Sequence, residues 1–381
     1  MQPLSDVRVL DLSQFLSGPR CGQLLAYLGA DVVKVEPPSG DTMRLLLAAT
    51  GSERGMHTMH ADKRGLVLDL RVEKDRALFL RLVDKADVLV ENFAPGIMRK
   101  LGLDYETLAA RRPELIFASI AGFGQDGPLA ERTAFDIIAQ ATGGAMHANH
   151  VPDRAPGMFV ADLVSGAYAA LGVLAALRTR ERTGRGQRID ISMQDVVYFQ
   201  NFWAMVDRAV EPDKGKMQSI LGAPITDLLS NVENPMCFWH SYAARDGHVV
   251  VVALTDRQWR ALIEATGLSA LAADEGLGDF VGRIRHTERG VAILTGWMRE
   301  RTCAEIIDLL TTARVPCGKV NDYADLQHDE QLAARGMLAH AGDHDVPGNP
   351  IKLSAHAWTP TRPGPAMDEH RAEILRDWLG E

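Results

Sequence analysis

The sequence predicts an α/β fold: a large Rossmann-like domain with a mostly parallel sheet, followed by a smaller α+β domain. Three observations support this class. Short apolar runs alternate with helical patterns over the first half of the chain, as in sheets whose strands are joined by crossover helices. Beyond Cys237, two apolar runs flank Asp246-Gly247, which is a hairpin signal. The length of 381 residues suits two domains.

The large domain begins with one βαβ unit. Residues 7 to 12 are expected to form a strand, residues 19 to 28 a helix and residues 31 to 36 a second strand. Pro19 near the helix start and Gly29 after its end are typical boundary residues. The same patterns predict further strands at residues 66 to 70, 87 to 90, 115 to 120 and 187 to 192. They predict further helices at residues 73 to 85, 107 to 111 and 165 to 182.

The smaller domain combines a hairpin with helices. Its strands are predicted at residues 238 to 243 and 248 to 254, and its helices at residues 256 to 266, 288 to 299 and 304 to 312. Thr302 and Glu305 match a capping box at the start of the last of these helices. A final helix is expected over residues 369 to 379.

The domain limits follow from changes in pattern. The large domain is expected to cover residues 1 to 206 and to be completed by residues 331 to 381. Proline, glycine and polar residues break the pattern after Asp207, so residues 207 to 236 are interpreted as a linker. Residues 237 to 330 then form the smaller domain.

Composition excludes several classes of function. The net charge of −9 disfavours a nucleic-acid partner. No apolar run reaches the roughly 18 residues of a membrane span, and the first residues lack the basic and apolar segments of a secretory signal. A cytoplasmic protein without a membrane partner is therefore expected. Four cysteines without a Cys-x-x-Cys pair and twelve histidines without a His-Glu-x-x-His pattern favour reduced thiols and no metal site.

Two segments at predicted strand ends could bind a ligand. Residues 13 to 19 follow the first strand, where parallel sheets bind ligands and helix N-termini attract phosphates. They contain no Gly-x-Gly-x-x-Gly, which disfavours a nicotinamide dinucleotide. Asn92 and Phe93, before the Pro95-Gly96 turn, offer an amide and an aromatic ring. Either segment could equally be an ordinary connection.

Charged residues supply the other candidates. The basic pairs Lys63-Arg64 and Lys100 with its neighbour Arg99 could meet phosphates, although such pairs more often form a solvated face. Asp162 is a carboxylate enclosed by apolar neighbours and followed by small residues. It could be a helix N-cap, and it could also attack an activated carbonyl as a covalent nucleophile.

Together, ordered motifs along nearly the whole chain resemble family III CoA-transferases, the CaiB/BaiF group, which includes formyl-CoA transferase and 2-methylacyl-CoA racemase. The resemblance rests on the combination of these motifs in order, since each motif alone is too short to be specific. The matching motifs are Val7-Arg-Val-Leu-Asp-Leu12, Gly18-Pro19, Leu28-Gly-Ala-Asp-Val-Val-Lys-Val-Glu36-Pro37, Lys63-Arg64-Gly65 with Asp69-Leu70, Val90-Glu-Asn-Phe93 with Pro95-Gly96, Ile120-Ala-Gly-Phe-Gly124 with Gly127-Pro128, Gly184-Arg-Gly-Gln187 with Asp190, Asp256-Arg-Gln-Trp259 and Gly348-Asn-Pro-Ile351.

The resemblance implies an activity and a set of site residues. Asp162 matches the family's catalytic aspartate, which forms an anhydride with the donor acyl group and then a thioester with coenzyme A. Acyl-CoA and a small carboxylic acid would be substrates, with no permanently bound cofactor. The family also implies an interlocked, ring-like homodimer. The positions that match the family's CoA contacts are Gln14, Phe15, Leu16, Lys63, Asn92, Phe93 and Lys100.

The sequence departs from parts of the family in three places. Pro37 stands where some members have an arginine near the adenine end of coenzyme A. Residues 211 to 225 show no clear counterpart of the glycine-rich loop of oxalate-type members. Racemases in the family use a His-Asp pair where this chain has Phe135-Asp136, so a racemase would lack one of its two bases. Asp136 is therefore expected to support the site, and nearby His147 and His150 are weak replacements for the missing imidazole.

Transfer of CoA between acids is accordingly the leading hypothesis. A 2-methylacyl-CoA racemase or an intramolecular CoA-shifting isomerase is the alternative within the family. A non-catalytic CoA-binding subunit is a third hypothesis, which the intact surroundings of Asp162 disfavour. Backbone amides near Gly143-Gly144 or at the turn of Ser165 are a hypothetical placement for the oxyanion donors of such a reaction.

Overall fold

The structure is a computed structural model that describes residues 2–51, 54–149, 153–154, 157–210, 213–221 and 236–381. It divides into two compact units. The large unit comprises Met1–Ala145, Ala155–Gln200 and Asp329–Glu381. The small unit comprises Met146–Arg154 and Asn201–His328.

A six-stranded parallel sheet forms the centre of the large unit. Its strands are β1 (Arg8–Asp11), β2 (Asp31–Glu36), β3 (Lys63–Val67), β4 (Val88–Glu91), β5 (Ile116–Ala121) and β6 (Arg188–Ser192). The strand order is β3-β2-β1-β4-β5-β6. The chain thus runs outward from β1 in one direction and from β4 in the other. Ligands bind at such a switch point, beyond the carboxyl ends of the two central strands.

Nine helices that the structure describes lie between these strands, and a tenth, α10, follows β6. They are α1 (Ser17–Tyr27), α2 (Thr42–Ala49), α3 (Arg54–His60), α4 (Glu73–Val83), α5 (Ile97–Lys100), α6 (Tyr105–Arg111), α7 (Asp136–Thr142), α8 (Ala145–Ala148), α9 (Val160–Thr183) and α10 (Met193–Gln200). All belong to the large unit except most of α8. The last segment contributes a hairpin of Leu338–Ala341 and His344–Pro347, the short helices Glu330–Ala334 and Arg371–Ile374, and a π-helix, Leu375–Leu379.

Both faces of the sheet are buried, as predicted for strands whose residues alternate between two helix layers. On one face Val9, Val32 and Val90 pack with Leu25 of α1 and Val173 of α9. On the opposite face Leu10, Val33 and Leu89 pack with other helices, including side chains of α4, α6 and the C-terminal segment. Burial of these side chains stabilises the unit by roughly 25 cal/mol per Å² of apolar surface removed from water.

Most predicted elements of this unit are confirmed, with two shifts. Strand β2 occupies the predicted residues, but β3 begins three residues before the predicted start. Lys63 and Arg64 can be buried in β3 because both form ion pairs. Since both residues are charged, a search for apolar runs does not recognise the first part of this strand. Helix α9 begins at Val160, before the predicted start. Asp162 therefore lies in its first turn and is not its N-cap.

Helix α9 also corrects the expectation that no segment could span a membrane. By length and hydropathy alone this one helix could do so. Helix α9 is apolar because part of it is buried in the core of the large unit. Ala169, Val173 and Ala176 belong to the core between α9 and the sheet, and α9 packs along α1.

The small unit contains an antiparallel sheet of Trp239–Ala244, Gly247–Val252 and Cys317–Lys319. The hairpin at Asp246-Gly247 and the capping box of Thr302 with Glu305 are confirmed, whereas the third strand was not predicted. Its main helices are α11 (Phe202–Val210), α12 (Lys214–Leu221), α13 (Asp256–Thr266), α14 (Ser269–Ala273), α15 (Phe280–Arg285), α16 (Thr287–Arg299), α17 (Cys303–Thr312) and α18 (Tyr323–Gln327).

Part of the predicted linker is helical. Helices α11 and α12 extend into residues 207 to 221, where proline, glycine and polar residues had suggested irregular chain. Residues 211–212 and 222–235, which include part of the segment where no counterpart of the family's glycine-rich loop was found, lie outside the described residues. The predicted domain limits stay a prediction.

Candidate active site

A cleft of about 580 Å³ opens at the carboxyl ends of the central strands in the large unit. Residues 14 to 17 after β1 and residues 92 to 95 after β4 form two of its walls. The third wall comprises residues 120 to 122 at the end of β5 and residues 132 to 137 at the start of α7. The cleft therefore occupies the switch point of the sheet, where parallel α/β folds bind their ligands.

The loop after β1 is held by Asn92. The Gln14 N–H donates to Asn92 Oδ1 at 2.8 Å, and Asn92 Nδ2 donates to the Gln14 carbonyl at 2.8 Å and to Ser17 Oγ at 2.9 Å. One side chain thus joins the two strand ends that border the cleft. Gln14, Phe15, Leu16, Asn92 and Phe93, all predicted from the sequence, line the same cleft.

Buried charges support this loop from below. Asp41 accepts from the Phe15 N–H at 3.2 Å and forms an ion pair with Lys34 at 2.9 Å. Lys34 also donates to the Ser13 carbonyl. Phe15 has a φ of +61°, a conformation that costs a non-glycine residue roughly 1 to 3 kcal/mol. These bonds keep Phe15 in that conformation, with its ring edge-on to Phe135 at 5.6 Å.

The turn after β4 rests on Glu91. The Phe93 N–H donates to Glu91 Oε2 at 2.9 Å, and Ser119 donates to Glu91 Oε1. Burial raises the pKa of Glu91 to about 7, although the hydrogen bonds from Ser119 and Phe93 favour its ionised form. Glu91 therefore fixes the start of the Phe93-Ala94-Pro95 wall from beneath the surface.

Asp162 faces the cleft from the first turn of α9. Asp136 lies behind it: Asp136 Oδ1 accepts from the Asp162 N–H at 3.0 Å. Gln140, one turn further along α7, donates to Asp136 Oδ2 at 2.5 Å and to the Met158 carbonyl at 2.9 Å. Asp136 and Gln140 thereby fix the start of α9; the expected role of Asp136 in supporting catalysis stays a prediction.

The surroundings of Asp162 favour its neutral form. Burial raises the pKa of Asp162 to about 7, and the nearby negative charge of Asp136 contributes in the same direction. The cause is physical: a carboxylate that loses water without gaining a cation is more stable when protonated. Near neutral pH a large fraction of Asp162 is nevertheless ionised and can act as a nucleophile.

Two predicted contact residues lie outside the cleft. Lys63 is fully buried: its Nζ is 2.8 Å from Asp11 Oδ2, donates to the Pro19 carbonyl at 2.8 Å and lies 3.2 Å from His60 Nδ1. Its ammonium thus joins β1, α1 and α3, and its position gives the expected ligand contact no support. Lys100 is exposed in α5, and its contact with coenzyme A stays a prediction.

Other expectations can be compared with the structure in the same way. The N–H groups of Gly143 and Gly144 donate to the carbonyls of Ala139 and Ala141, so they are not free to hold an oxyanion. His147 does not line the cleft, and His150 lies outside the described residues. Among the described residues no group of three or more His, Cys, Asp or Glu could hold a metal ion.

Sequence patterns missed several residues of the site. Arg132 lines the cleft from the connection that precedes α7, where a single arginine had no distinguishing pattern. Met43 lines it from the start of α2. Gln140 could have been found, because it follows Asp136 by four residues and so shares its helix face.

The arrangement suits acyl chemistry. Phe15, Phe93, Phe135 and Phe159 line the same cleft as the half-buried carboxylate of Asp162. No imidazole lies among the cleft-lining residues that the structure describes. A carboxylate in such a site can attack an activated carbonyl directly, and apolar walls protect the reactive product from hydrolysis.

Known proteins resemble this chain over its full length. The sequence profile described as CoA-transferase family III matches residues 4–371. The chain is 38% identical to the succinyl-CoA:mesaconate CoA-transferase of Haloarcula hispanica, covering 98% of this chain and 96% of that protein. It is 36% identical to the acetyl-CoA:oxalate CoA-transferase of Acetobacter aceti, covering 99% and 96%.

A solved structure agrees with the fold. The crystal structure of a CAIB/BAIF family protein from Brucella suis superposes with a TM-score of 0.83 at 32% identity, covering 99% of both chains.

Proposed function

The chain belongs to CoA-transferase family III, and from this membership we propose that it transfers coenzyme A from an acyl-CoA to a small carboxylic acid, with Asp162 as the nucleophile. The observation that carries the proposal is the position of Asp162 in the first turn of α9, facing an apolar cleft and backed by Asp136. The relatives are named for succinyl-CoA with mesaconate and for acetyl-CoA with oxalate. A small mono- or dicarboxylic acid is therefore the proposed acceptor.

The first half-reaction transfers coenzyme A to the enzyme. A carboxylate oxygen of Asp162 attacks the thioester carbonyl carbon, the carbon–sulfur bond breaks, and the CoA thiolate leaves as a mixed anhydride forms. The thiolate then attacks Cγ of Asp162 and releases the donor acid as its carboxylate. The product is a thioester between Asp162 and coenzyme A. No proton is gained or lost, so the reaction needs no general base.

The second half-reaction is the reverse with a new acid. The acceptor carboxylate attacks Cγ of the thioester and releases the thiolate, which gives an anhydride of Asp162 with the acceptor. The thiolate attacks the acceptor acyl carbon and restores the Asp162 carboxylate. Water would hydrolyse both intermediates, which is why the apolar walls matter.

Helix N-termini support the charge that develops in these steps. Helix α1 begins at the cleft without a side-chain cap, and Asp162 brings the first turn of α9 to the same cleft. The N-terminal end of a helix carries a partial positive charge that favours anions. Developing oxyanions near Ser17 and Asp162 would therefore be stabilised.

Substitution of Asp162 tests the proposal. The protein is incubated with acetyl-CoA or succinyl-CoA and a panel of acids, and new thioesters are measured by mass spectrometry. We expect Asp162→Asn and Asp162→Ala to lower the transfer rate by at least about 1000-fold, because the nucleophile is lost. Asp195→Asn is the matched control, since Asp195 also lies in a first helical turn of the large unit but is exposed and outside the cleft.

Trapping identifies the covalent intermediate. Borohydride added during turnover should reduce the enzyme thioester and modify the peptide that contains Asp162. Full activity of Asp162→Ala, or a modification elsewhere, would refute the nucleophile. Deuterium uptake at the α-carbon of a 2-methylacyl-CoA without new thioesters would identify a racemase. Movement of CoA within one diacid would identify an isomerase. The cytoplasmic location and the interlocked homodimer stay predictions.

A further inference from the structure

The charges around the cleft are unevenly distributed. Among the described residues that line it, Asp136 and Asp162 are the two acidic side chains and Arg132 is the one cation. The Asp136 carboxylate accepts from the Asp162 backbone N–H at the start of α9, whereas Arg132 lies in the connection before α7. The cleft thus has one negative end, where the chemistry takes place, and a single positive group elsewhere.

Arg132 is positioned to receive an anion. Its N–H donates to the Leu129 carbonyl at 2.9 Å, which closes a turn, and its guanidinium lies over the Phe123 ring at 5.5 Å from the centroid. Within the part of the chain that the structure describes, no ion pair involving Arg132 is present. Stacking on an aromatic ring restricts a guanidinium but leaves its N–H edge open to a carboxylate.

Arg132 is close in space to the reacting end. Arg132 and Asp136 are four positions apart in the sequence, so their Cα atoms cannot be more than about 14 Å apart. Asp136 in turn lies 3.0 Å from the Asp162 backbone nitrogen. The intervening residues Thr133, Ala134 and Phe135 line the same cleft. Both charged ends therefore belong to one site of small-molecule size.

We propose that Arg132 binds the second, unreacting carboxylate of a dicarboxylic substrate and thereby selects diacids. The inference rests on the proposed function and adds a specificity-determining residue to it. An ionised carboxylate is costly to place in an apolar cleft without a partner. At the Asp162 end it would also be repelled by Asp136. Pairing with Arg132 resolves both difficulties, and it orients the other carboxyl group toward Asp162.

A phosphate of coenzyme A is the competing anion for the same guanidinium. Both anions form charge-assisted hydrogen bonds with arginine. The two sources differ in which substrates carry them: every CoA ester carries the phosphates, but only diacids and their half-thioesters carry a second carboxylate. Kinetics with matched substrates therefore distinguish them.

The experiment compares Arg132→Gln with the wild-type protein. Donors are acetyl-CoA and succinyl-CoA, and acceptors are propionate and succinate. We expect the KM values for succinate and succinyl-CoA to rise on the order of 10- to 100-fold, because a charge-assisted pair is lost. The KM values for propionate and acetyl-CoA should stay unchanged. Arg132→Lys, which retains the charge, should restore part of the affinity for succinate.

Arg178→Gln is the matched control. Arg178 is an exposed arginine on α9, paired with Glu181, and the helical rise puts it about 24 Å from Asp162. It should leave all four KM values unchanged. Circular dichroism of each variant checks that the fold is retained.

The outcomes separate the inference from the function on which it rests. An equal rise in KM for acetyl-CoA and succinyl-CoA would mean that Arg132 binds coenzyme A itself, which overturns the inference. Unchanged constants for succinate in Arg132→Gln would overturn it as well. If the wild-type protein transferred CoA between no pair of acids, the proposed function would fail.

Discussion

At the scale of single residues, Asp162 combines burial with a like-charged neighbour. Desolvation is the larger cause of its raised pKa, and Asp136 adds to it. Burial and the charge of Asp136 make the ionised form of Asp162 less stable. For the same reason they make the carboxylate more reactive toward a carbonyl. Asp136 also accepts the Asp162 N–H, so its charge and its positioning of the backbone act on the same group.

The pH dependence of transfer should report the ionisation of Asp162. Only the carboxylate attacks, so kcat/KM should rise about tenfold per pH unit below the pKa near 7 and level off above it. Asp136→Asn removes a neighbouring negative charge and should shift the midpoint to lower pH. Because burial remains, the midpoint should stay above the ordinary aspartate value of 3.8. Rates measured between acidic and mildly alkaline pH check this.

Two results would contradict this assignment. One is a rate independent of pH across the neutral range, and the other is a midpoint that moves upward in Asp136→Asn. Asp195→Asn is the control, because Asp195 is exposed and does not line the cleft. Its profile should match that of the wild-type protein.

At the scale of elements, the packing of α1 against α9 positions the first loop and Asp162, the proposed nucleophile, at the cleft. The helices approach closely at Gly166. A Cβ at this position would lie well inside van der Waals contact of the Ser17 carbonyl oxygen and 2.7 Å from Arg20 Cβ. Ser17 also accepts from Asn92 and lines the cleft. A glycine far from the first loop in sequence is thus needed for the position of that loop.

Gly166→Ala should therefore destabilise the protein. Backbone atoms must shift to accommodate the methyl group, and overpacking of this kind costs typically about 1 to 3 kcal/mol. Urea unfolding measures the change in the free energy of unfolding. Gly296→Ala is the matched control: Gly296 lies in α16 and is exposed, and a methyl group added there would have no described atom within 4 Å.

The two substitutions should change the free energy of unfolding differently: Gly166→Ala should lower it, whereas Gly296→Ala should not. Alanine has a higher helix propensity than glycine by about 1 kcal/mol, so Gly296→Ala should be neutral or stabilising. Equal stability of Gly166→Ala and the wild-type protein would show that the crossing is looser than the structure indicates. The transfer rate of Gly166→Ala should also fall, because Ser17 moves with α1.

At the scale of the whole molecule, large apolar side chains remain exposed on the large unit. Leu171 of α9 is 60% exposed and Phe199 of α10 is 63% exposed. Large contiguous apolar patches mark surfaces that a partner covers, so these two side chains are candidates for substitution in a test of self-association. The resemblance to family III CoA-transferases implies that this partner is a second copy of the chain.

The homodimer has a direct test. The chain mass is 41.6 kDa, and light scattering after size-exclusion chromatography should give twice that value at micromolar concentration. Substitution of Leu171 and Phe199 by glutamate should reduce the dimer, because charges are costly to bury in an apolar interface. A wild-type protein that stays monomeric would contradict the prediction.

Sequence patterns were sufficient to predict an α/β fold with a parallel sheet and the family to which the chain belongs. Alternating patterns predicted the parallel sheet, the Asp246-Gly247 pair predicted the hairpin, and Thr302 with Glu305 predicted the capping box, because each of these signals is local. The ordered motifs along the chain identified the family, whereas the neighbours of Asp162 in sequence left it open whether this residue is a helix cap or a nucleophile. Tertiary structure alone decided which distant segments meet. Lys63 forms a buried pair with Asp11, and Arg132 shares a cleft with Asp162. The periodicity of a sequence shows which residues share a face of one helix or strand. Contacts between distant segments depend on the order of the strands in the sheet and on which side chains become buried.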